Sequence, residues 1–169
     1  MADARTWGGR GAWLLLMTAL VVLAMLPGEA VPRRWPLPDL MLLLTFAWLV
    51  RRPDEVPVAL LAGVFLAADF LSGEAPGLRA ALILMAGEHL RARASRREDF
   101  PLEWARAAAL ILVVTISERL ALGLTLAPAP PFGPVVLRAL AGAVAYPAAA
   151  AMVIYLFGVR RPPIQGGRR

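Results

Sequence analysis

Five ionisable residues interrupt apolar segments of this chain: Asp39, Asp69, Glu118, Arg119 and Arg138. An ionised side chain at the centre of a membrane-spanning helix costs roughly 2.5–3.5 kcal/mol on insertion scales, so such residues usually face protein or water and find partners. Three interpretations of these five residues are open. They can hold helices together or extend to the lipid headgroups, form a surface that binds a partner, or belong to a transport or catalytic site. We favour the first.

Motifs for catalysis or metal binding are absent from the sequence. It contains no Gly-x-Ser-x-Gly, no His-Glu-x-x-His and no phosphate-binding loop. The only histidine, His89, has no second ligand three or four residues away, and there is no cysteine. We therefore expect no enzymatic activity, no cofactor and no metal.

The elements that must position these residues are membrane segments. Of the 169 residues, 59% are hydrophobic and 18% charged, and the aliphatic residues come in long blocks, which is a membrane composition. The sequence predicts an all-α membrane protein, one polytopic domain over 1–169, built as a compact bundle of about six transmembrane helices. The predicted segments are 12–26, 37–50, 56–72, 77–90, 104–126 and 135–157.

These segments differ in length. The last two are long enough, at roughly 1.5 Å per residue, to cross a hydrocarbon core of about 30 Å. The second and fourth are short and could be buried, re-entrant or interfacial, so we expect two or three short helices. The first could instead be a secretory signal, with Gly28 and Ala30 near a cleavage site, but an uncleaved helix is simpler.

The distribution of arginine predicts the orientation. If all six segments cross from a cytoplasmic N-terminus, thirteen of the eighteen arginines lie inside and only Arg33, Arg34 and Arg79 lie outside. This bias obeys the positive-inside rule and predicts that both termini are cytoplasmic. The arginines flank apolar runs and form no basic face interleaved with aromatics, so we expect a lipid bilayer and no nucleic acid as partner.

Helical phase predicts contacts for the charged residues. Asp69 shares a helix face with Ala62 and Gly73, and Arg138 shares one with Gly142. Small residues let helix backbones approach closely, so we expect Asp69 to face a neighbouring helix. We expect Asp69 or Asp39 to pair with Arg138 or Arg119. Pro147 should bend the sixth helix. The residues assigned to helix packing are Gly63, Gly73, Gly77, Gly142 and Pro147.

Two stretches resemble a known family. Residues 36–78, "PLPDLMLLLTFAWLVRRPDEVPVALLAGVFLAADFLSGEAPGL", resemble the core of MreD, the rod shape-determining membrane protein of bacteria. Residues 141–162, "AGAVAYPAAAAMVIYLFGVRRP", are similar to its final helix, with Tyr146 and Pro147 as the aromatic-proline pair. The positions that carry the first resemblance are Pro38, Asp39, Arg51 to Pro53, Gly63, Asp69, Gly73, Gly77 and Leu78.

The resemblance implies a non-enzymatic scaffold of the cell-elongation machinery in the bacterial inner membrane, which helps to maintain rod shape and to organise peptidoglycan synthesis. Its implied partners are an MreC-like single-span protein, MreB-type filaments and the elongation-specific peptidoglycan synthase. An alternative is a small-solute-binding subunit of a membrane transporter, with Asp69, Arg119 or Arg138 lining a cavity.

Overall fold

The structure is a computed structural model that describes residues 2–25, 37–73, 75–94, 99–124 and 131–159. Within these ranges the chain is helical and contains no strand, which confirms the all-α prediction. A 3₁₀ turn, Pro53–Glu55, links the second and third helices. The helices are α1 (Ala2–Met25), α2 (Leu40–Arg51), α3 (Val58–Ser72), α4 (Leu78–Ala94), α5 (Phe100–Leu124) and α6 (Phe132–Leu156).

Local sequence signals explain several helix ends. Asp39 caps the start of α2, where its Oδ1 accepts a hydrogen bond from the Leu42 N–H at 3.1 Å. Gly73 ends α3 in the left-handed conformation at φ 67°, which glycine adopts without the steric cost of a Cβ. Asp39 therefore determines where α2 begins, and Gly73 determines where α3 ends.

Helix α2 lies at the centre of the bundle. All its residues from Met41 to Arg51 are buried, and it contacts α1, α4, α5 and α6. A helix that is apolar around its whole circumference has no face to give to solvent, so surrounding it with other helices is the expected packing. With 12 residues it is only about 18 Å long.

Successive helices run in opposite directions. Contacts at one end join the start of α1 to the turn after α2, the end of α4 to the same turn, and the end of α2 to the start of α5. The ring contact between Trp48 and Phe157, with centroids 5.3 Å apart, adds the end of α6. We call this the arginine-rich end, after Arg10, Arg51, Arg52, Arg91, Arg93 and Arg106, and the other the opposite end.

Three helices are long and apolar enough to cross a membrane: α1 over Thr6–Met25, α5 and α6. Helices α2, α3 and α4 have 12, 15 and 17 residues, in keeping with the prediction of two or three short helices. A membrane protein with three candidate spans is therefore supported, and helix length and composition do not confirm the predicted six crossings.

Some predicted boundaries are wrong. Helix α1 begins at Ala2 instead of residue 12, and α4 and α5 extend into the predicted loop 91–103. The extensions have tertiary causes, because Gly9 packs against Glu55 and Glu103 is buried. The proposed cleavage-site residues Gly28 and Ala30, together with Arg33 and Arg34, lie outside the described residues.

Candidate functional site

Asp39 anchors a polar cluster at the opposite end. Its Oδ2 accepts a hydrogen bond from Arg79 on α4 and lies 3.8 Å from Arg138 Nη2 on α6. The carboxylate thus ties the start of α2 to two other helices while its second oxygen caps α2. We call Asp39, Arg79 and Arg138 the Asp39 cluster. The pairing of Asp39 with Arg138 was among those expected from the sequence, whereas Arg79 had been placed in an outside loop.

The Asp39 cluster borders a small cavity. Glu118 and Thr115 of α5 also line it, and its volume is about 20 Å³, which is enough for about one water molecule. The guanidinium carbon of Arg119, the next residue on α5, lies 4.7 Å from the centroid of the Phe132 ring. Three of the five ionisable residues, Asp39, Glu118 and Arg138, therefore line the same cavity.

A second cluster occupies the arginine-rich end of α2. Arg51 Nη1 lies 3.1 Å from Glu103 Oε1 and donates to the Ala47 carbonyl at 2.8 Å, so the guanidinium folds back along its own helix. Tyr146 of α6 donates its hydroxyl to the same Glu103 oxygen at 2.9 Å. All three side chains are buried. We call Arg51, Glu103 and Tyr146 the Arg51 cluster.

The turn after α2 is held from several sides. Glu55 is buried and accepts a hydrogen bond from the Trp48 indole N–H at 2.9 Å. Gly9 of α1 lies directly against Glu55, since a Cβ at position 9 would lie 2.2 Å from Glu55 Cδ. Arg10 donates to the Asp54 carbonyl at 3.3 Å, and Arg91 of α4 donates to the Val56 carbonyl. This turn therefore links α1, α2 and α4.

Asp69 pairs with no arginine of the described residues. It is fully buried, and its Oδ2 accepts the N–H groups of Gly77 at 3.0 Å and Ala80 at 3.2 Å, both at the start of α4. A carboxylate at a helix N-terminus satisfies donors that have no partner within the helix. The expected ion pair of Asp69 with Arg119 or Arg138 is thus wrong, because the acid joins α3 to α4 through the backbone. Its Oδ1 is buried and has no hydrogen-bond partner among the residues that the structure describes.

The glycines assigned to helix packing have different environments. A Cβ on Gly142 would lie 3.2 Å from Ile111 Cγ2, so α6 and α5 meet closely there. Gly63 has no atom within 4 Å of the position of a Cβ, so it packs against no described residue. Gly73 and Gly77 have positive φ angles of 67° and 86° in the α3–α4 connection, a backbone conformation that glycine adopts more readily than other residues.

Pro147 lies inside α6, which continues through it. A proline has no N–H to donate to the carbonyl four residues earlier, which here belongs to Ala143. The Trp104 indole N–H of α5 donates to that carbonyl at 2.8 Å. A neighbouring helix thus satisfies the backbone group that the proline leaves free, as membrane helices with internal prolines require.

An apolar cleft separates α1 from α3. Its volume is about 440 Å³, and Gly63 is among the residues that line it. Thr18 is the only residue with a polar side chain among those that line it. The lining residues are Leu14, Thr18, Val21, Val22, Met25, Ala59, Leu60, Gly63, Val64, Ala67, Ala68 and Leu71.

The acidic residues of these sites are engaged in contacts within the protein. In the described part of the chain no three His, Cys, Asp or Glu side chains lie together in a way that could hold a metal ion. The carboxylates of Asp39, Asp69 and Glu103 already accept hydrogen bonds from the protein. A scan against family models and searches of curated proteins and solved structures gave no match.

Sequence reasoning did not bring the three residues of the Arg51 cluster together. Arg51 was counted as an inside charge and, like Tyr146, as a position that carries the family resemblance, and Glu103 was placed in a loop. One signal was available, since Glu103 stands directly before a long apolar run, where an acid needs a partner. Gly87 was also overlooked, although a Cβ there would lie 3.1 Å from Leu61 Cδ2 and 3.3 Å from Leu49 Cδ1.

Proposed function

We propose that this chain is a non-enzymatic membrane scaffold of the MreD type, which holds the transmembrane helix of an MreC-like single-span protein in the bacterial inner membrane. In this role it supports rod shape by linking MreB-type filaments to the elongation-specific peptidoglycan synthase. The observation that carries the proposal is the apolar cleft between α1 and α3. Its α3 wall lies within residues 36–78, the stretch that resembles MreD.

The cleft suits a helix as its occupant. Three small residues, Ala59, Gly63 and Ala67, are spaced four apart on α3 and line it. Small residues at this spacing let two helix backbones approach closely, and van der Waals packing is a main force for helix association in lipid. Since Gly63 is packed against nothing in the described chain, this face offers a partner helix the close contact that Gly142 already has within the bundle.

The proposed topology has the arginine-rich end in the cytoplasm and both termini on that side. Seven arginines of the described residues lie there, Arg5 of α1 among them, against Arg79, Arg119 and Arg138 at the opposite end. The positive-inside rule favours this orientation. The alternating direction of the six helices is compatible with six crossings, in which the neighbours of α2 enclose it from Met41 to Arg51.

The transporter alternative has less support. The cavity between Asp39, Arg79 and Arg138 has a volume of about 20 Å³, which accommodates about one water molecule and no solute. The cleft between α1 and α3 is larger but offers hydrogen-bonding side chains only at Thr18. A solute site needs several convergent polar groups to fix its ligand, so a scaffold is the better interpretation.

Site-specific crosslinking tests the proposal. A photoreactive residue replaces Gly63 in the full chain, expressed in rod-shaped cells, and adducts are probed with an antibody against MreC. We expect an MreC adduct from position 63. Replacing Gly63 with leucine should fill the cleft and abolish capture of MreC, with rounding of cells that depend on the variant.

Gly133 provides a matched control. It is helical and exposed, and like Gly63 it has no atom within 4 Å of the position of a Cβ. It lies on α6, away from the cleft. A photoreactive residue at 133 should give no MreC adduct, and Gly133→Leu should leave capture intact. Equal capture by Gly63→Leu and Gly133→Leu, or no adduct from position 63, would contradict the proposal.

A further inference from the structure

Helix α1 is held against the bundle mainly by its first half. Trp13 and Met17 are fully buried, and the Thr45 hydroxyl of α2 lies 3.5 Å from Met17 Sδ. Gly9 packs so closely against Glu55 that a Cβ would lie 2.2 Å from Glu55 Cδ. These contacts anchor α1 from Gly9 to Met17.

The second half of α1, residues 18–25, has no comparable anchor in the described chain. None of its residues is buried, although Leu20 and Val21 pack partly against the core. Its sequence, TALVVLAM, contains a single polar side chain, that of Thr18, and so offers few hydrogen bonds to hold it in place. The apolar cleft separates this half from α3.

Two hydrogen-bond donors of α1 are buried without an acceptor. Arg10 Nε and the Trp13 indole N–H have no hydrogen-bond partner among the residues that the structure describes. A buried donor without a partner has lost its hydrogen bonds to water and destabilises the arrangement that leaves it so. A position of α1 that supplies acceptors to these donors is therefore favoured, on this account, over the one in this structure.

The two walls of the cleft are complementary in size. Helices α1 and α3 run in the same direction, because α2 is antiparallel to both. The α3 wall contains Ala59, Gly63 and Ala67, whereas the α1 wall contains larger side chains, among them Leu14 and Val22. Small residues on one membrane helix let the backbone of another approach closely. Helix α1 therefore has a face that can pack on α3.

A small tilt of α1 about its anchor closes the cleft. Met25 lies eight residues beyond Met17, which is about 12 Å along the axis, so a tilt of about 20° moves this end by about 4 Å. The tilt preserves the anchor, because the described polar contacts of α1 lie at Met17 or before it. Such closing motions of packed elements are a known form of conformational switch.

We propose that α1 is a mobile wall with two positions: the open one of this structure, and a closed one in which Leu14 and Val22 pack on Ala59, Gly63 and Ala67. The closed position covers the face that a partner helix would contact. Helix α1 thus competes with the partner and sets the fraction of the protein that can capture it. This consequence for capture rests on the proposed scaffold function, whereas the two positions of α1 do not.

Distance measurements between two spin labels test the mobile wall without any partner. The chain has no cysteine, so Leu23→Cys and Phe70→Cys introduce the only labelling sites, at exposed positions that do not line the cleft. Double electron–electron resonance is recorded on the full chain in phosphatidylcholine nanodiscs. We expect two distance populations that differ by about 3 Å. Gly63→Leu, which fills the cleft, should leave only the longer distance, and the control Gly133→Leu should leave both.

Trp13→Phe tests the part played by the unpaired donors. It keeps an aromatic ring and removes the indole N–H, so it should favour the open position and raise the ratio of open to closed populations about five-fold. An unchanged ratio would overturn the role of this donor. Circular dichroism verifies that each variant is folded.

The mobile wall and the scaffold function can fail separately. A single distance that Gly63→Leu does not change would overturn the mobile wall, whether or not the chain captures MreC. Two distances in a chain that captures no MreC would refute the scaffold function and support the mobile wall.

Discussion

The two ends of α2 hold their charges in different ways. At the arginine-rich end, Arg51 and Glu103 are 5% and 6% exposed, and Tyr146 donates to the same carboxylate. At the opposite end Asp39 is 17% exposed and receives two arginines, of which Arg138 is 50% exposed and 3.8 Å away. One cluster is sealed inside the bundle, and the other opens at its surface.

This difference determines what each cluster contributes. A buried ion pair gains little over apolar packing when intact, because both charges have been removed from water, but removal of one partner leaves an unpaired charge inside. A partly exposed pair can exchange its partner for water or lipid headgroups, so its loss costs less. The Arg51 cluster should therefore fix the packing of α2 against α5 and α6, whereas substitutions in the Asp39 cluster should cost less stability.

The largest effect is expected for Glu103→Ala, which leaves Arg51 buried without its carboxylate and Tyr146 without its acceptor. The free energy of unfolding should fall by about 3–5 kcal/mol, as measured by denaturant titration in detergent micelles. Glu88→Ala is the matched control, because Glu88 is 54% exposed in its pair with Arg91 and should cost no more than about 1 kcal/mol.

Replacing both Arg51 and Glu103 with methionine should recover most of the stability lost in Glu103→Ala, since the Arg51 cluster then contains no buried charge. If Glu103→Ala proved no more destabilising than Glu88→Ala, the distinction between a sealed cluster and an open one would be lost.

An intermediate effect is expected at Asp39. Asp39→Asn keeps an oxygen to cap α2 but loses the charge that holds Arg79 and Arg138, whereas Asp39→Ala loses the cap as well. Since a helix N-cap contributes about 1 kcal/mol, the alanine variant should be less stable than the asparagine variant by about that amount in the same titration. Equal stabilities would mean that the cap contributes nothing.

The smallest effect is expected for Arg138→Gln. Its guanidinium is half exposed and lies beyond hydrogen-bonding distance of Asp39, so we expect a loss of about 0–1 kcal/mol. Arg79→Gln should cost more, because Arg79 is more buried and donates directly to Asp39. The reverse order in unfolding measurements would show that Arg138, and not Arg79, holds the Asp39 carboxylate.

The sequence predicted the helices well and the partners of the polar side chains poorly. Six helices were expected near their observed positions, because long apolar blocks separated by prolines and arginines leave few other choices. The Asp39–Arg138 pairing was anticipated, since both residues interrupt apolar runs at a similar predicted depth. Asp69 was paired wrongly, because backbone N–H groups compete for a carboxylate as well as arginines do, and no pattern of side chains reports their positions.

Local chemistry alone determined that the chain is helical, where α2 and α3 end, and that Pro147 must leave the Ala143 carbonyl without its usual donor. Only the tertiary structure decided that Trp104 supplies that donor, that Gly142 is packed while Gly63 is open, and that Arg51 is a buried structural charge. The physical reason is the same in each case. Periodicity and composition reflect the solvent that surrounds a segment, whereas the partner of a polar group depends on which helix lies beside it.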